Sequence, residues 1–209
     1  MDAASSAADR LADYRARLGM WVFLATEAMF IGPLFLVYAT ARLRLPEAFE
    51  QAGRLADVAL GATNTAVLLT SSLAMALAVE AARLRLTAAA RRALAATLAL
   101  GALFLVLKGC EYALDWREHL FPGAGFRPEG VSDVAGARLF FLLYFTATGI
   151  HAIHVAVGLG AIAAALRRWR RRPDDHAVRQ MEATGLYWHF VDVVWIFLFP
   201  ALYLVGRAP

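Results

Sequence analysis

The fold is decided by two stretches, GMWVFLATEAMFIGPLFLVYA at residues 19–39 and YWHFVDVVWIFLFPALYLV at residues 187–205. Both are apolar over the roughly 20 residues that an α-helix needs to cross a bilayer. Each nevertheless contains an acidic residue, Glu27 in the first and Asp192 in the second. A charge at bilayer depth costs about 3 kcal/mol or more, so such a residue is usually paired inside a bundle or has a function. The two stretches therefore predict membrane helices with polar groups between them.

Three further apolar stretches lie between these two, and the chain as a whole is 60% hydrophobic. The composition is that of a membrane protein. The fourth stretch is long enough to require tilt or projection beyond the bilayer. We expect an all-α, polytopic membrane helix bundle with five transmembrane helices, at residues 19–41, 58–80, 92–114, 137–166 and 182–205.

The segment before the first span, residues 1–18, is polar and carries both signs of charge. Because it lacks the apolar core of a signal peptide, we expect a cytoplasmic N-terminal segment and a retained first helix. The five-helix domain would then occupy residues 19–209.

Arginine residues predict the orientation of the bundle. With five spans, the N-terminus shares one side with the second and fourth loops, and that side carries about 13 arginines against about 7 on the other. The N-terminus is therefore expected in the cytoplasm and the C-terminus outside. The densest group is suited to anionic lipid headgroups, and because it directly follows a span we expect no nucleic-acid partner. It consists of Arg167, Arg168, Arg170, Arg171 and Arg172.

Polar residues within the spans can be assigned approximate depths, because an α-helix rises 1.5 Å per residue. Counted from the flanking arginines, Glu27 and His189 lie at one depth, and Asp192 and His154 lie at another. We therefore predict the pairs Glu27–His189 and Asp192–His154.

A second polar group is predicted within the third span. Lys108 should reach Glu111 or Tyr112 on its own helix, at the spacings i+3 and i+4. Cys110 is the only cysteine, which excludes a disulfide framework or a multi-cysteine metal site in this chain. We expect Cys110 to be a small apolar residue of the core.

Histidine spacing leaves a haem-bearing membrane anchor open as one alternative. His151 and His154 lie on one helix face at i and i+3, and with His189 they offer candidate axial ligands for haem or ligands for a metal. Hydrogen bonding of each histidine to a carboxylate or a backbone carbonyl explains the pattern more simply. We therefore assign no metal site to this chain.

Small residues recur every fourth position in two spans, a spacing that lets membrane helices approach closely. They predict helix–helix seams. One set consists of Ala62, Ala66, Thr70, Ala74 and Ala78, and the other of Thr148, Ala152, Ala156, Gly160 and Ala164.

Five motifs carry a resemblance to a known family, in the family's order. RLGMWVFLATEAMF, ATNTAVLLTSSLAMALA and LGALFLVLKGCEYALDW resemble three successive helices of cytochrome c oxidase subunit III and its quinol-oxidase counterparts. YFTATGIHAIHVAVGLG resembles the Thr-Gly-x-His-x-x-His-Val segment of that family. YWHFVDVVWIFLFPALYLV resembles its final helix. The likeness covers residues 15–205.

The resemblance implies a non-catalytic core subunit of a haem-copper terminal oxidase in a bacterial plasma membrane. Such a subunit holds no haem or copper of its own, packs against catalytic subunit I with subunit II and smaller subunits nearby, and binds structural phospholipids. It also sustains proton uptake and the durability of the catalytic subunit. Glu27 matches the family's carbodiimide-reactive membrane glutamate. The remaining motif positions, expected to form a polar network in the bundle, are Glu111, His151, His154, Trp188, His189 and Asp192.

Two departures from the family pattern stand out. Longer members have two additional N-terminal helices that form the lipid cleft with the rest, so in a five-helix chain either another subunit completes the cleft or the site is open. The position of Lys108 is usually neutral and polar in the family.

Two other functions are compatible with the sequence. Accessory subunits of nitric-oxide reductases share the same motifs. An independent proton-coupled transporter would use Glu27 as its proton site, although neither an inverted repeat nor a matched pair of broken helices is visible.

Overall fold

The computed structural model of the protein describes residues 2–207, including all side chains in that range except those of residues 2–13, 16 and 17. Six helices and no strands occur in this part of the chain. All but α2 contain a segment long and apolar enough to cross a membrane, which confirms the all-α, five-span prediction. The helices are α1 (Asp2–Arg44), α2 (Pro46–Leu55), α3 (Val58–Arg83), α4 (Thr87–Arg117), α5 (Val134–Arg171) and α6 (Asp175–Tyr203).

All five spanning helices extend past their predicted spans at one or both ends. The fourth spanning helix, α5, has 38 residues, as the length of its apolar stretch requires. Helix α1 begins at Asp2, so the backbone of the predicted N-terminal segment is continuous with the first spanning helix.

Helices α3, α4, α5 and α6 pack on one another, and α1 lies against α5 and α6 at the edge of this unit. Only 6% of the most apolar window of α1 is buried, against 44% of that of α6. Helix α6 is therefore the centre of the bundle and α1 its periphery. We call the end where α3 and α5 finish and α4 and α6 begin the arginine-rich end, and the other the opposite end.

The short helix α2 at the opposite end was not predicted. Pro46 starts it, and Phe49 is fully buried, with its ring edge-to-face against Phe140 of α5 at 5.4 Å. Arg207 donates to the carbonyl oxygens of Arg54 and Ala56 at 2.7 and 2.8 Å. Helix α2 thus ties the last described residue to the bundle.

The predicted seams lie on the wrong helix faces. In each five-residue set only one member is buried, Ala78 on α3 and Thr148 on α5. Cys110 is exposed, so its placement in the core was also wrong. Large aromatic rings of α5 and α6 fill much of the interior, whereas the buried face of α3 is made of smaller side chains at positions outside the predicted stripe, apart from Ala78. The residues of α3 that are buried are Gly61, Asn64, Leu68, Ser71, Met75, Ala78 and Ala82.

Candidate functional site

Glu27 on α1 and His154 on α5 form a polar pair within the spanning region. His154 Nε2 lies 2.9 Å from Glu27 Oε2, and His154 Nδ1 lies 2.8 Å from the carbonyl oxygen of Ile150. A carbonyl oxygen only accepts, so Nδ1 carries a proton and a second proton lies between Nε2 and the carboxyl group. The pair is neutral overall whichever of those two atoms holds this proton. An overall neutral pair is compatible with hydrocarbon surroundings, where a lone charge is not.

The two predicted pairs, Glu27–His189 and Asp192–His154, were both wrong. His189 Nδ1 is bonded to Ser72 Oγ at 2.7 Å, not to Glu27. Asp192 is 3% exposed and has no histidine partner. The Ser72 hydroxyl lies near its carboxyl group, but neither carboxylate oxygen has a well-formed hydrogen bond to any described residue. Depth along a helix fixes the height of a side chain but not the direction in which it points.

His151 and Trp188 are packing residues of the bundle interior. The His151 ring lies 5.6 Å from the Phe104 ring and 5.0 Å from the Trp195 ring. Trp188 is fully buried, and a Cβ added at Gly158 would come within 2.8 Å of it. Although His151 and His154 are one turn apart, their rings contact different neighbours.

A buried ion pair lies near the opposite end, and it confirms the predicted reach of Lys108. Lys108 Nζ is 3.1 Å from Glu111 Oε2. It also donates to the hydroxyls of Tyr144 at 3.0 Å and Tyr203 at 2.5 Å. Those hydroxyls in turn donate to Glu111 Oε1 at 2.5 and 2.7 Å. We call Lys108, Glu111, Tyr144 and Tyr203 the lysine cluster.

The lysine cluster is almost completely removed from solvent, with Lys108 2% and Glu111 1% exposed. The ammonium group also lies 4.6 Å from the centre of the Tyr144 ring, a favourable cation–π distance. No role was predicted for either tyrosine. A phenol inside an apolar run is itself a signal, because a buried Tyr hydroxyl usually finds a polar partner.

A groove opens near the arginine-rich end between α1, α3 and α6, with a volume of about 450 Å³. Its walls combine apolar side chains with two arginines and two glutamates, and His189 also lines it. Arg83 Nε donates to Glu182 Oε1 at 2.8 Å across the groove. The lining includes Met20, Trp21, Val79, Leu186, Glu80, Arg83, Arg179 and Glu182.

The five arginines that were predicted to contact lipid headgroups lie together at the end of α5, and we call them the arginine cluster. All are exposed except the half-buried Arg168, and all but Arg170 line a hollow of about 440 Å³. Arg168 is 3.4 Å from Asp174, whose carboxylate accepts a hydrogen bond from Ala177 at the start of α6. That backbone bond, aided by Arg168, lowers the pKa of Asp174. The cluster therefore keeps a positive excess.

The sequence matches the family described as cytochrome c oxidase subunit III over residues 10–207. The chain belongs to this family. It is 29% identical over 191 residues to the probable quinol oxidase subunit 3 of Staphylococcus aureus strain USA300, covering 91% of this chain and 89% of that protein. It is 30% identical over 198 residues to the heme-copper oxidase subunit I+III of Aeropyrum pernix, covering 91% of this chain but only 23% of that protein. The family resemblance is thereby confirmed.

Proposed function

We propose that this chain is the non-catalytic subunit III of a haem-copper terminal oxidase that reduces oxygen in aerobic respiration. The observation that carries the proposal is membership of the subunit III family over almost the whole chain. In this proposal haem and copper belong to partner subunits. The electron donor, cytochrome c or quinol, is bound elsewhere in the complex.

The proposed principal partner is catalytic subunit I, with subunit II and smaller subunits alongside. The name of the Aeropyrum relative places subunits I and III together in that protein. Helix α1 supports a partner for this chain as well, because most of its apolar surface is uncovered by the rest of the bundle. Contiguous exposed apolar surface on a spanning helix is satisfied either by lipid or by another subunit.

Phospholipid is the proposed ligand. The groove between α1, α3 and α6 supports this proposal with apolar walls for acyl chains and with Arg83 and Arg179 for a phosphate. The groove also contains Glu80 and Glu182, so the phosphate would compete with Glu182 for Arg83. The arginine cluster would hold the headgroups of further anionic lipids at the same end. Both features lie at the end that the positive-inside rule assigns to the cytoplasm.

The proposed role of the Glu27–His154 pair is to support proton uptake and the durability of the catalytic subunit. Its geometry suits this role because a carboxyl oxygen and a ring nitrogen lie 2.9 Å apart, close enough to share a proton. A catalytic function for the pair is not required.

The proposed location is a bacterial plasma membrane, with the N-terminus cytoplasmic and the C-terminus outside. A tag attached after Pro209, which lies outside the described residues, should be accessible from outside intact cells. A tag that can be reached only after the cells are opened would reverse the orientation.

Purification of the native complex through that tag tests the function. Haem a or o together with copper is expected in its absorption spectrum and metal content. Haem b with non-haem iron would instead assign the chain to a nitric-oxide reductase, and the absence of any haem protein would favour an independent transporter. Deletion of the chain should leave initial oxygen reduction in the remaining core but shorten its working life. The complemented deletion strain is the control.

A further inference from the structure

The groove between α1, α3 and α6 is lined by equal numbers of positive and negative side chains. Its charged residues are Arg83, Arg179, Glu80 and Glu182. The arginine cluster, at the same end of the bundle, instead lines its hollow with arginines. The two sites are therefore suited to headgroups of different charge.

Arg83 lies between the two glutamates of the groove. Its Nε donates to Glu182 Oε1 at 2.8 Å across the groove, and its guanidinium group lies 3.8 Å from Glu80 Oε2 on its own helix. The side chain of Glu182 is only 22% exposed, whereas those of Arg83 and Glu80 are more than half exposed. Glu182 depends on its partner more than Glu80 does, because burial removes the water that would otherwise solvate the carboxylate.

A lipid with a net negative charge fits this arrangement poorly. To reach Arg83, its phosphate has to displace Glu182, and a largely buried carboxylate then loses its hydrogen-bond donor. The groove as a whole would also change from neutral to negative. An anionic lipid therefore gains one ion pair at the expense of another.

A zwitterionic headgroup avoids that loss. Its phosphate can accept hydrogen bonds from Arg83 or Arg179, while its ammonium group donates to the carboxylate that the phosphate displaces. Each ion pair is exchanged for another of the same kind, and the groove remains neutral.

The apolar part of the groove continues along one face of α6. Leu186 lies one turn after Glu182 and lines the groove. Val193 and Phe197 lie further along the same helix face and are 47% and 61% exposed. From Leu186 to Phe197 this face extends for about 16 Å at 1.5 Å per residue, close to the thickness of about 15 Å of one hydrocarbon leaflet. An acyl chain can therefore follow this face when the headgroup lies at Arg83, the last residue of α3.

We propose that the groove binds a zwitterionic phospholipid of the phosphatidylethanolamine type. The arginines of the groove hold its phosphate, and the glutamates hold its ammonium group. The lipid belongs to the leaflet at the arginine-rich end, and one acyl chain lies along α6. The inference rests on the proposed function in one respect, that the groove holds a phospholipid.

Photoreactive lipids that share one acyl chain and differ in headgroup test the proposal. The purified complex is placed in bilayers with equal amounts of phosphatidylethanolamine and anionic phosphatidylglycerol, and a photoreactive trace of one or the other is added. Cross-links are mapped by mass spectrometry to peptides that contain Trp21 or Leu186, which line the groove. We expect the ethanolamine lipid to label these peptides about two- to fivefold more than the glycerol lipid, the preference that one partly exposed ion pair provides.

The variant Glu80→Gln/Glu182→Gln removes both acids of the groove and keeps both arginines, so its preference should reverse in favour of phosphatidylglycerol. Asp175→Asn is the matched control. It removes an exposed acid that is paired with Arg85 at the same end but outside the groove, and it should keep the wild-type preference. If the double variant does not assemble, Glu80→Gln alone, at an exposed position, should lower the preference.

Failure of the headgroup assignment can be told apart from failure of lipid binding. Equal or stronger labelling of the wild type by phosphatidylglycerol would overturn the assignment and leave the groove as a general phospholipid site. An unchanged preference in the glutamate variants, or the same change in Asp175→Asn, would also overturn it, because the acids of the groove would then not select the headgroup. If neither lipid labelled these peptides, the proposed binding of phospholipid in the groove would be wrong as well.

Discussion

Glu27→Gln and Glu27→Ala should have clearly different effects, and the difference measures the bond to His154. A glutamine amide N–H can donate to His154 Nε2 across the same gap of 2.9 Å, while Nδ1 keeps its bond to the Ile150 carbonyl oxygen. Alanine removes the partner altogether. Glutamine thus mimics the protonated carboxyl, and alanine leaves a ring nitrogen unpaired.

The magnitudes follow from burial. A buried polar atom left without a partner costs about 1–3 kcal/mol. Because the side chains of Glu27 and His154 are 20% and 19% exposed, we expect the lower half of that range for Glu27→Ala. Glu27→Gln should cost less than about 1 kcal/mol, since one neutral hydrogen bond replaces another. Removing both partners should cost less than the sum of the single changes, by about 0.5–2 kcal/mol, because contacting residues couple.

The assay is the thermal midpoint of the purified complex for Glu27→Gln, Glu27→Ala, His154→Ala and the double variant Glu27→Ala/His154→Ala. Glu47→Gln, an exposed acid on α2, is the control for loss of charge. Initial oxygen reduction should stay largely intact in Glu27→Gln, with reduced proton pumping or durability. Strictly additive losses in the double variant, or equal losses for Gln and Ala, would refute the pairing. Immediate loss of oxygen reduction at normal haem content would refute the accessory role.

Three further changes test the bundle. Gly101→Ala would place a methyl group 2.7 Å from a ring carbon of Trp188. It should lower the free energy of unfolding by about 1–3 kcal/mol, seen as a lower thermal midpoint. Gly109→Ala, which has open space around it, is the control and should leave the midpoint unchanged. Replacing the arginine cluster with glutamine should lower the number of phospholipids retained in native mass spectrometry, and an unchanged number would refute headgroup binding there. Asp192→Asn should not lower the thermal midpoint, because neither carboxylate oxygen has a well-formed hydrogen bond to a described residue. A clear fall would show that the nearby Ser72 hydroxyl or another partner depends on the carboxylate.

Hydropathy was enough to predict the five spanning helices, because a bilayer demands a continuous apolar stretch of nearly fixed length. The same reasoning missed α2, whose ten residues are too few for a span. Its sequence did hold a weaker signal. Pro46 suits the first turn of a helix, and Ala48, Phe49 and Ala52 lie on one face.

Which helix faces meet could not be predicted from apolar residues, because lipid and the bundle interior are equally apolar. The exposed side of α3 carries Leu69 and Leu73, and the buried side carries Asn64 and Ser71. On α3, Asn64 and Ser71 therefore mark the interior, whereas the predicted stripe at every fourth position does not. The motif ATNTAVLLTSSLAMALA contained that information, whereas the four-residue stripe of alanines did not.

The partners of the polar residues within the spans were harder still to predict from the sequence. Helix rise predicted a histidine at the depth of Glu27, but it could not show which ring points at α1. In the structure Glu27 pairs with His154 of α5, whereas His189 of α6 is bonded to Ser72 of α3. Only the pair Lys108 and Glu111, three residues apart on one helix, could be predicted from spacing. The two tyrosines that complete their hydrogen bonds come from other helices, so their contribution depends on tertiary packing.

The polar contacts of the spans differ in what they hold together. The lysine cluster and the Ser72–His189 bond join α3–α6 to one another, inside a unit whose aromatic core is already extensive. Helix α1 is joined to that unit by far less: the Glu27–His154 pair, the Tyr38 hydroxyl bonded to the Ala201 carbonyl oxygen, and little buried apolar surface. Since lipid offers no hydrophobic drive for a helix to leave it, these bonds and any neighbouring subunit must set the position of α1. Loss of Glu27 should therefore disturb α1 and its outer neighbours before it disturbs the fold of α3–α6.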